Sequence, residues 1–187
     1  MKTRDLAYVA LFAAVIAVLG TIPAIPVGPV PITAQTLGVM LAGAVLGARR
    51  GFLAVLLFLV LVALGLPLLA GGRGGLGVFA GPTAGYLLGW PVAAFVIGRL
   101  TERWWDRYDV LRGTLINVVG GVVLIYAVGV PVLKAVAGLS WTAAVTSGAL
   151  PFLPGDLVKA FVAAAIADVV RRSYPVIERP RRAADTR

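Results

Sequence analysis

Cysteine and histidine are both absent from the 187 residues, and charged side chains are scarce. A chain without cysteine forms no disulfide, thiol nucleophile or thiolate metal site. A chain without histidine lacks the commonest general base and transition-metal ligand. Charged residues make up 13% of the chain, whereas a soluble domain carries roughly 25%. The composition excludes an ordinary soluble globule, and we expect no catalytic residue, metal site or cofactor.

Hydrophobic residues make up 60% of the chain and gather in six stretches that carry few charges. A membrane-spanning helix needs about 20 predominantly apolar residues, so six spans would use most of the chain. We predict an all-α integral membrane protein in the lipid bilayer, formed by a single domain over residues 1–187 with a polar tail at 178–187. Its six transmembrane helices are predicted near residues 6–22, 36–48, 51–66, 82–99, 112–133 and 155–171.

The net charge of +9 comes from 17 lysine and arginine residues against 8 acids. Most of these cations lie at the chain termini and in the connections after the second and fourth stretches. The opposite ends of the stretches hold only Arg73, Lys134 and Lys159. Cytoplasmic loops of membrane proteins carry such an excess of cations. We therefore expect both termini in the cytoplasm, and the charge indicates topology rather than nucleic-acid binding.

Two connections on the outer side are rich in proline and glycine instead of charge. Residues 23–35 contain four prolines and no charged residue, and residues 67–82 are rich in glycine. Lipid cannot satisfy irregular backbone, so we expect both loops to fold over the helix ends and roof a pocket. The GRGGLG run at 72–77 matches G-x-G-x-x-G, but no βαβ pattern surrounds it, so it predicts no dinucleotide site. No P-loop motif for ATP occurs in the sequence.

Asp156 is the one acid predicted on the outer side, and Lys159 follows it by three residues. Asp156 after Pro-Gly would suit a helix N-cap. A lysine in the first turn opposes the positive end of the helix dipole and needs a partner. Residues three apart share one helix face, so Asp156 can be that partner. From the spacing alone, a ligand site and a purely structural ion pair remain equal alternatives.

The start of the fourth stretch, residues 81–89 (GPTAGYLLG), combines a helix N-terminus with small residues. Free N–H groups at this helix end, together with Thr83 and Tyr86, are able to hold polar ligand atoms. Gly85 and Gly89 stand four apart, the spacing that lets helices pack closely. Gln35 enters the second stretch from the first outer loop, either as a lid contact or as a substitute cap.

The first stretch carries two overlapping pairs of alanines spaced by four residues, Ala10 with Ala14 and Ala13 with Ala17. Small residues at this spacing let another helix approach closely. The pairs predict either packing within this bundle or docking of a partner membrane protein.

Three separated motifs resemble signatures of the BioY biotin transporters, the substrate-binding S components of energy-coupling-factor transporters. They are residues 30–37 (VPITAQTL), 81–89 (GPTAGYLLG) and 152–159 (FLPGDLVK). The motifs occur in the right order, and the resemblance covers nearly the whole chain. Ala84 stands where the commoner family pattern has glycine, a small change that leaves the assignment intact.

The resemblance implies a six-helix protein of a prokaryotic plasma membrane that binds biotin near the outer face and releases it inside. ATP hydrolysis would belong to two partner ATPase subunits, joined through a transmembrane coupling (T) subunit. The helix-one alanines Ala10, Ala13, Ala14 and Ala17 resemble the family's docking motif for that subunit. The resemblance also implies that the S component tilts in the membrane to release its ligand.

Biotin offers two ureido N–H donors, a ureido carbonyl, a largely apolar ring and chain, and a carboxylate. Asp156 could accept a hydrogen bond from a ureido N–H, and Lys159 could meet either the ureido oxygen or the carboxylate. Tyr86 and Phe79 could pack on the ring. The biotin site implied by the resemblance comprises Asp156, Lys159, Tyr86, Thr83, Gly81, Gly85, Phe79 and Gln35.

Three other functions remain to be separated from biotin capture. The chain could be an S component for another vitamin or a purely structural membrane bundle. It could also be a small membrane enzyme that uses Asp156 and Lys159 as an acid–base pair, although the missing histidine and cysteine argue against this.

Overall fold

Helices make up nearly all the regular structure in the computed structural model, which describes residues 2–26 and 29–177. Within these ranges no strand forms, and only two isolated β-bridges occur. The predicted polar tail at 178–187 lies outside the described residues. The helices are α1 (Thr3–Leu19), α2 (Gln35–Leu46), α3 (Ala48–Ala63), α4 (Ala84–Arg103), α5 (Val110–Ala137), α6 (Trp141–Gly148) and α7 (Leu153–Ser173).

Each of the six apolar stretches coincides with one helix, namely α1 to α5 and α7. The short helix α6 is additional, and it begins where the Ser140 side chain accepts a hydrogen bond from the Ala143 N–H at 3.1 Å. Helix α5 contains a π-helical segment over Val119–Leu124. Such a segment inserts an extra residue into the helix and rotates the residues beyond it. The segment ends immediately before Ile125 and Tyr126, which line a cavity.

Helices α4 and α5 are each long and apolar enough to cross a membrane. Helices α6 and α7 meet at a bend of 48° and form a third candidate if they count as one span. Large apolar side chains such as Leu11, Val123 and Phe161 are exposed on the outside of the bundle, where a soluble protein would carry polar residues. The chain is therefore an all-helical membrane protein.

Helices α2 and α3 form a tight hairpin that packs against α4. Gly47 joins them with a φ of 84°, a left-handed conformation that favours glycine. A Cβ atom at Gly98 would lie 2.3 Å from the Ala48 nitrogen, so α4 crosses the hairpin in direct backbone contact. Glu102 Oε1 accepts a hydrogen bond from that same N–H at 2.8 Å. Because α4 is fixed at this end, its opposite end has a defined position beside α2 and α5.

Candidate functional site

A cavity lies under the two proline- and glycine-rich loops, between the N-terminal ends of α2, α4 and α7 and the second half of α5. The enclosed cavity has a volume of about 60 Å³, and the empty space reaches about 590 Å³ when the open solvent at its mouth is included. Most of the wall is apolar or aromatic. The polar and charged residues that line it are Thr33, Gln35, Thr36, Arg73, Thr83, Tyr86, Tyr126, Asp156 and Lys159.

Asp156 and Lys159 form the charged centre of this cavity. The Lys159 Nζ lies 2.9 Å from Asp156 Oδ1, and it also donates to the Thr33 carbonyl at 2.6 Å and to Thr36 Oγ1 at 3.1 Å. The Thr36 hydroxyl donates to Asp156 Oδ1 at 3.2 Å, and the Tyr126 hydroxyl donates to Asp156 Oδ2 at 2.6 Å. Asp156 is only 4% exposed. A charge buried this deeply is tolerable because it is paired and hydrogen-bonded.

The hydrogen bonds leave different capacities on the two charged groups. A lysine ammonium has three N–H donors, and those of Lys159 already reach three acceptors. A carboxylate oxygen accepts two hydrogen bonds. Among the described residues, Asp156 Oδ1 receives two, whereas Oδ2 receives only the one from Tyr126. The site therefore presents a free acceptor on the carboxylate and no spare donor on the ammonium.

Three further predicted site residues, Gln35, Thr83 and Tyr86, line the same cavity. The Tyr86 hydroxyl donates to the Gly148 carbonyl at 2.8 Å, which connects α4 to the end of α6. The Thr83 hydroxyl has no hydrogen-bond partner within the described part of the chain. The structure thus brings five predicted residues, including the charged couple, around one cavity.

The Gln35 amide is already occupied by backbone groups. Its Nε2 donates to the Ile16 carbonyl at 3.2 Å and to the Leu68 carbonyl at 3.0 Å, and its Oε1 accepts from the Ala70 N–H at 3.0 Å. These contacts fasten the end of α1 and the second roof loop to the start of α2. Gln35 therefore acts as a structural tie in the roof of the cavity.

Gly81, Gly85 and Phe79 lie outside the cavity lining. A Cβ atom at Gly85 would lie 2.6 Å from Val132 Cβ, so this glycine allows α4 to pack closely on α5. Gly81 lines a separate cleft in the second roof loop. Phe79 belongs to a 3₁₀ turn over Leu76–Phe79 and packs against the core.

The lining residues that were not predicted from the sequence include Thr36, Arg73, Trp90 and Tyr126. Tyr126 sits in a long apolar stretch, and its contact with Asp156 depends on the π-helical segment before it. Trp90 resembles any aromatic residue of a buried helix face, and its indole N–H has no partner within the residues the structure describes. The sequence could have indicated Arg73 as a ligand-binding residue, because it is a lone cation in an otherwise uncharged outer loop.

The two alanine pairs of α1 face different surroundings. Ala13 is 3% exposed and packs inside the bundle, and Ala17 is half-buried. Ala10 and Ala14 lie on the outward face, beside the exposed Leu11. Ala13 and Ala17 therefore pack inside the bundle, whereas Ala10 and Ala14 form an open surface of small residues.

Known proteins share both the sequence and the fold of this chain. Residues 1–176 match the model of the BioY family. The chain is 52% identical over 184 residues to the biotin transporter BioY of Rhizobium etli, covering 95% of this chain and 98% of that protein. It is 50% identical over 183 residues to the biotin transporter BioY of Rhodobacter capsulatus, with 92% and 95% covered.

A solved structure gives the same relationship in three dimensions. The crystal structure of the S-component for biotin from an ECF-type ABC transporter has a TM-score of 0.89 to this chain at 33% identity. The match covers 94% of this chain and 97% of that one. Sequence and fold therefore agree over almost the full length.

Proposed function

Because the chain belongs to the BioY family, we propose that it binds biotin in the cavity that contains Asp156 and Lys159, as the S component of an ATP-driven importer. It is a transporter component and not an enzyme. The observation that carries the proposal is the buried Asp156–Lys159 couple, which lines a cavity under the two proline- and glycine-rich loops. The couple supplies the Asp156 carboxylate as a charged binding group, and ATP hydrolysis is assigned to partner subunits.

The proposed topology has six spans, α1 to α5 and α7, with both termini in the cytoplasm of a prokaryote. The distribution of cations along the sequence supports this orientation. Side-chain contacts support a common end for the two termini. Arg50 of α3 pairs with Asp5 at 3.2 Å and also donates to the Val176 carbonyl at 3.0 Å. The cavity lies at the opposite end of the bundle, where biotin would enter from outside.

Asp156 recognises the ureido ring in this proposal. Its Oδ2 has one free acceptor position, and a ureido N–H can donate to it. The Tyr126 hydroxyl, 2.6 Å from the same oxygen, holds the carboxylate in place. The ureido carbonyl needs a donor, and the Thr83 hydroxyl, which lines the cavity and has no partner within the described chain, can supply one.

Lys159 pairs with Asp156 and holds it in place instead of binding the biotin carboxylate. Its three donors are used by Thr33, Thr36 and Asp156. The bond to the Thr33 carbonyl also attaches the first roof loop to α7. Removing this lysine would leave the carboxylate buried without a counter-charge and would loosen the loop.

Arg73 is the proposed partner of the biotin carboxylate. It lines both the main cavity and the neighbouring cleft, so its guanidinium lies toward the mouth. Its Nε donates to the Ala70 carbonyl at 3.3 Å, and it forms no ion pair with the other described residues. The terminal guanidinium nitrogens are able to bind a carboxylate in a bidentate geometry. Biotin would then lie with its ring at Asp156 and its acidic tail toward the opening.

The outward face of α1 is the proposed contact with the coupling subunit. Ala10 and Ala14 leave a shallow surface where a partner helix can approach closely, and Ala13 and Ala17 hold α1 against its own bundle. Two ATPase subunits would join through the coupling subunit and supply the energy for release of biotin inside.

Calorimetric titration of the purified chain tests these assignments, using biotin and biotinamide, whose tail is uncharged. We expect Arg73→Gln to weaken biotin binding about tenfold and to leave biotinamide binding unchanged, because a charge-assisted hydrogen bond contributes roughly 1.5–3 kcal/mol. Asp156→Asn should weaken both ligands. Lys134→Gln, which removes a cation at the same end but outside the cavity, is the matched control.

Three other results of these binding experiments would contradict the assignment or the function. Equal weakening of both ligands by Arg73→Gln would contradict the carboxylate assignment. Preferential stabilisation by another vitamin in a thermal-shift panel would identify an S component for that compound. Failure of every vitamin to bind the folded protein would indicate a structural bundle.

A further inference from the structure

A basic cleft lies at the end of the bundle opposite the biotin cavity, in the turn between α4 and α5. Helix α4 ends at Arg103, and a short 3₁₀ turn over Trp105–Arg107 leads to α5 at Val110. Both helices are long enough to cross a membrane, so the turn lies where two spans leave the hydrocarbon. The arginine cleft is lined by Arg103, Trp104, Asp106, Arg107 and Arg112.

The arginine cleft rests on a fixed base. Trp105 and Tyr108 are buried directly beside it, and the Arg171 guanidinium lies 5.9 Å and 5.7 Å from the centres of their rings. On the cleft itself, Arg112 Nη1 donates to the Arg107 carbonyl and pairs with Asp109 at 3.1 Å. These contacts hold the turn in one conformation.

The nearby acids leave the arginine cleft with positive charge. Glu102 is engaged by the Ala48 N–H and by Arg99, and Asp109 is paired with Arg112. The guanidinium groups of Arg103 and Arg107 form no hydrogen bond or ion pair with any residue the structure describes. Arg103 and Arg107 therefore keep donors for a ligand, and a phosphodiester group can accept hydrogen bonds from both.

Apolar surface adjoins the arginine cleft on the lipid side. Trp104 is 44% exposed, and Leu111 and Leu115, at the start of α5, are 72% and 55% exposed. A tryptophan beside the end of a candidate membrane span is typical of the membrane interface. Free phosphate has no apolar group that could contact these side chains, whereas the acyl chains of a phospholipid can cover them. The combination favours a lipid headgroup over a soluble anion.

We propose that the arginine cleft binds the headgroup of an anionic phospholipid of the phosphatidylglycerol type. Arg103 and Arg107 would hold the phosphate, since guanidinium groups bind phosphate oxygens through paired hydrogen bonds. Leu111 and Leu115 would contact an acyl chain. The lipid would tie α4 to α5 at the end of the bundle remote from the cavity.

Thermal unfolding in a neutral detergent tests this proposal, with dioctanoyl phosphatidylglycerol, dioctanoyl phosphatidylcholine or inorganic phosphate added. A ligand that binds only the folded state raises the melting temperature saturably. We expect this with phosphatidylglycerol for the wild type and for the control Arg49→Gln/Lys134→Gln, which lowers the net charge equally. Arg103→Gln/Arg107→Gln should weaken the apparent lipid affinity by about tenfold or more, because the lost hydrogen bonds are charge-assisted. Unchanged biotin binding would show that this variant is folded.

Several results would overturn the proposal. Equal effects of phosphatidylglycerol and phosphatidylcholine, or equal lipid responses of all variants, would contradict a specific headgroup site. A response to inorganic phosphate matching that of phosphatidylglycerol would identify a soluble anion site instead. If the Arg103→Gln/Arg107→Gln variant keeps its lipid response but loses a coupling subunit in co-purification, the cleft is a protein-docking surface and the proposal is wrong.

Discussion

Helix α7 carries a similar acid–base couple near each end, and of the two the Asp156–Lys159 couple lines the cavity described above. Asp156 lies 2.9 Å from Lys159, and Asp168 lies 3.0 Å from Arg171, each pair being three residues apart. The acids are almost equally buried, at 4% and 6% exposed. Sequence spacing, distance and burial therefore do not separate a ligand site from a structural ion pair.

The surroundings of the two couples make the difference. Asp156 lines the cavity and keeps an unused acceptor position beside Tyr126 and Thr36. Asp168 accepts from both Arg171 and Arg172, and the Arg171 side chain is packed against Trp105 and Tyr108. The unused acceptor position of Asp156 faces the cavity, whereas the Arg171 side chain of the other couple packs against aromatic rings of its own protein.

The largest expected effect comes from neutralising each acid in turn. Asp156→Asn should weaken biotin binding by roughly 10- to 150-fold, because hydrogen bonds to charged groups contribute about 1.5–3 kcal/mol. Asp168→Asn should leave biotin affinity unchanged and lower the melting temperature. Calorimetry and thermal unfolding of both variants measure the contrast. Equal affinities for the two variants would remove the distinction between the couples.

The sequence predicts much of the framework behind this contrast. Six apolar stretches locate six of the seven helices in the described residues, and the charge pattern pairs Asp156 with Lys159. Hydropathy cannot reveal the π-helical segment, since an inserted residue does not change the apolar character of α5. The position of Tyr126 beside Asp156, 30 residues away in sequence, was therefore not predictable.

The contacts of individual side chains also could not be predicted from the sequence. Gln35 is polar and lies in a family motif, which suggested a lid contact or a cap. Its three backbone contacts come from segments up to 35 residues away, and only the folded chain brings them together. The rotation of α1, which separates Ala13 from Ala10, likewise depends on tertiary packing.

A glycine comparison tests whether the cavity end depends on packing as well as on charge. Gly85→Ala should destabilise the protein by about 1–3 kcal/mol, the usual cost of overpacking, because its Cβ would lie 2.6 Å from Val132 Cβ. Gly89→Ala, whose Cβ would lie 3.6 Å from Ile125 Cα, should be tolerated. Reversible unfolding of the two variants measures the difference, and similar stabilities would contradict the packing role of Gly85.

The tyrosines beside the two couples provide a smaller, matched contrast. Tyr126→Phe removes a donor to Asp156 and should weaken biotin binding by about tenfold, corresponding to one hydrogen bond of about 1.4 kcal/mol. Burial raises the pKa of the Tyr108 hydroxyl well above its usual range, so it stays protonated, and it has no hydrogen-bond partner within the described chain. Tyr108→Phe should therefore keep both biotin affinity and stability. A large loss of affinity in Tyr108→Phe would show that the two ends are coupled.

The smallest expected effect concerns the outer cation of the structural couple. Arg172 has a side chain that is 68% exposed, and Asp168 keeps Arg171 as a second partner. Arg172→Gln should change the unfolding free energy by only about 0–1 kcal/mol, as for other exposed ion pairs. Chemical denaturation with and without added salt measures this change, and a loss of several kcal/mol would show that Asp168 depends on both arginines.

A structure of the protein with biotin bound tests the central claim most directly. We predict a ureido nitrogen within about 2.7–3.2 Å of Asp156 Oδ2, the range of ordinary hydrogen bonds, with the biotin carboxylate at Arg73. Lys159 should keep its contacts to Thr33 and Thr36. A biotin carboxylate bound to Lys159, with the ureido ring away from Asp156, would contradict this assignment.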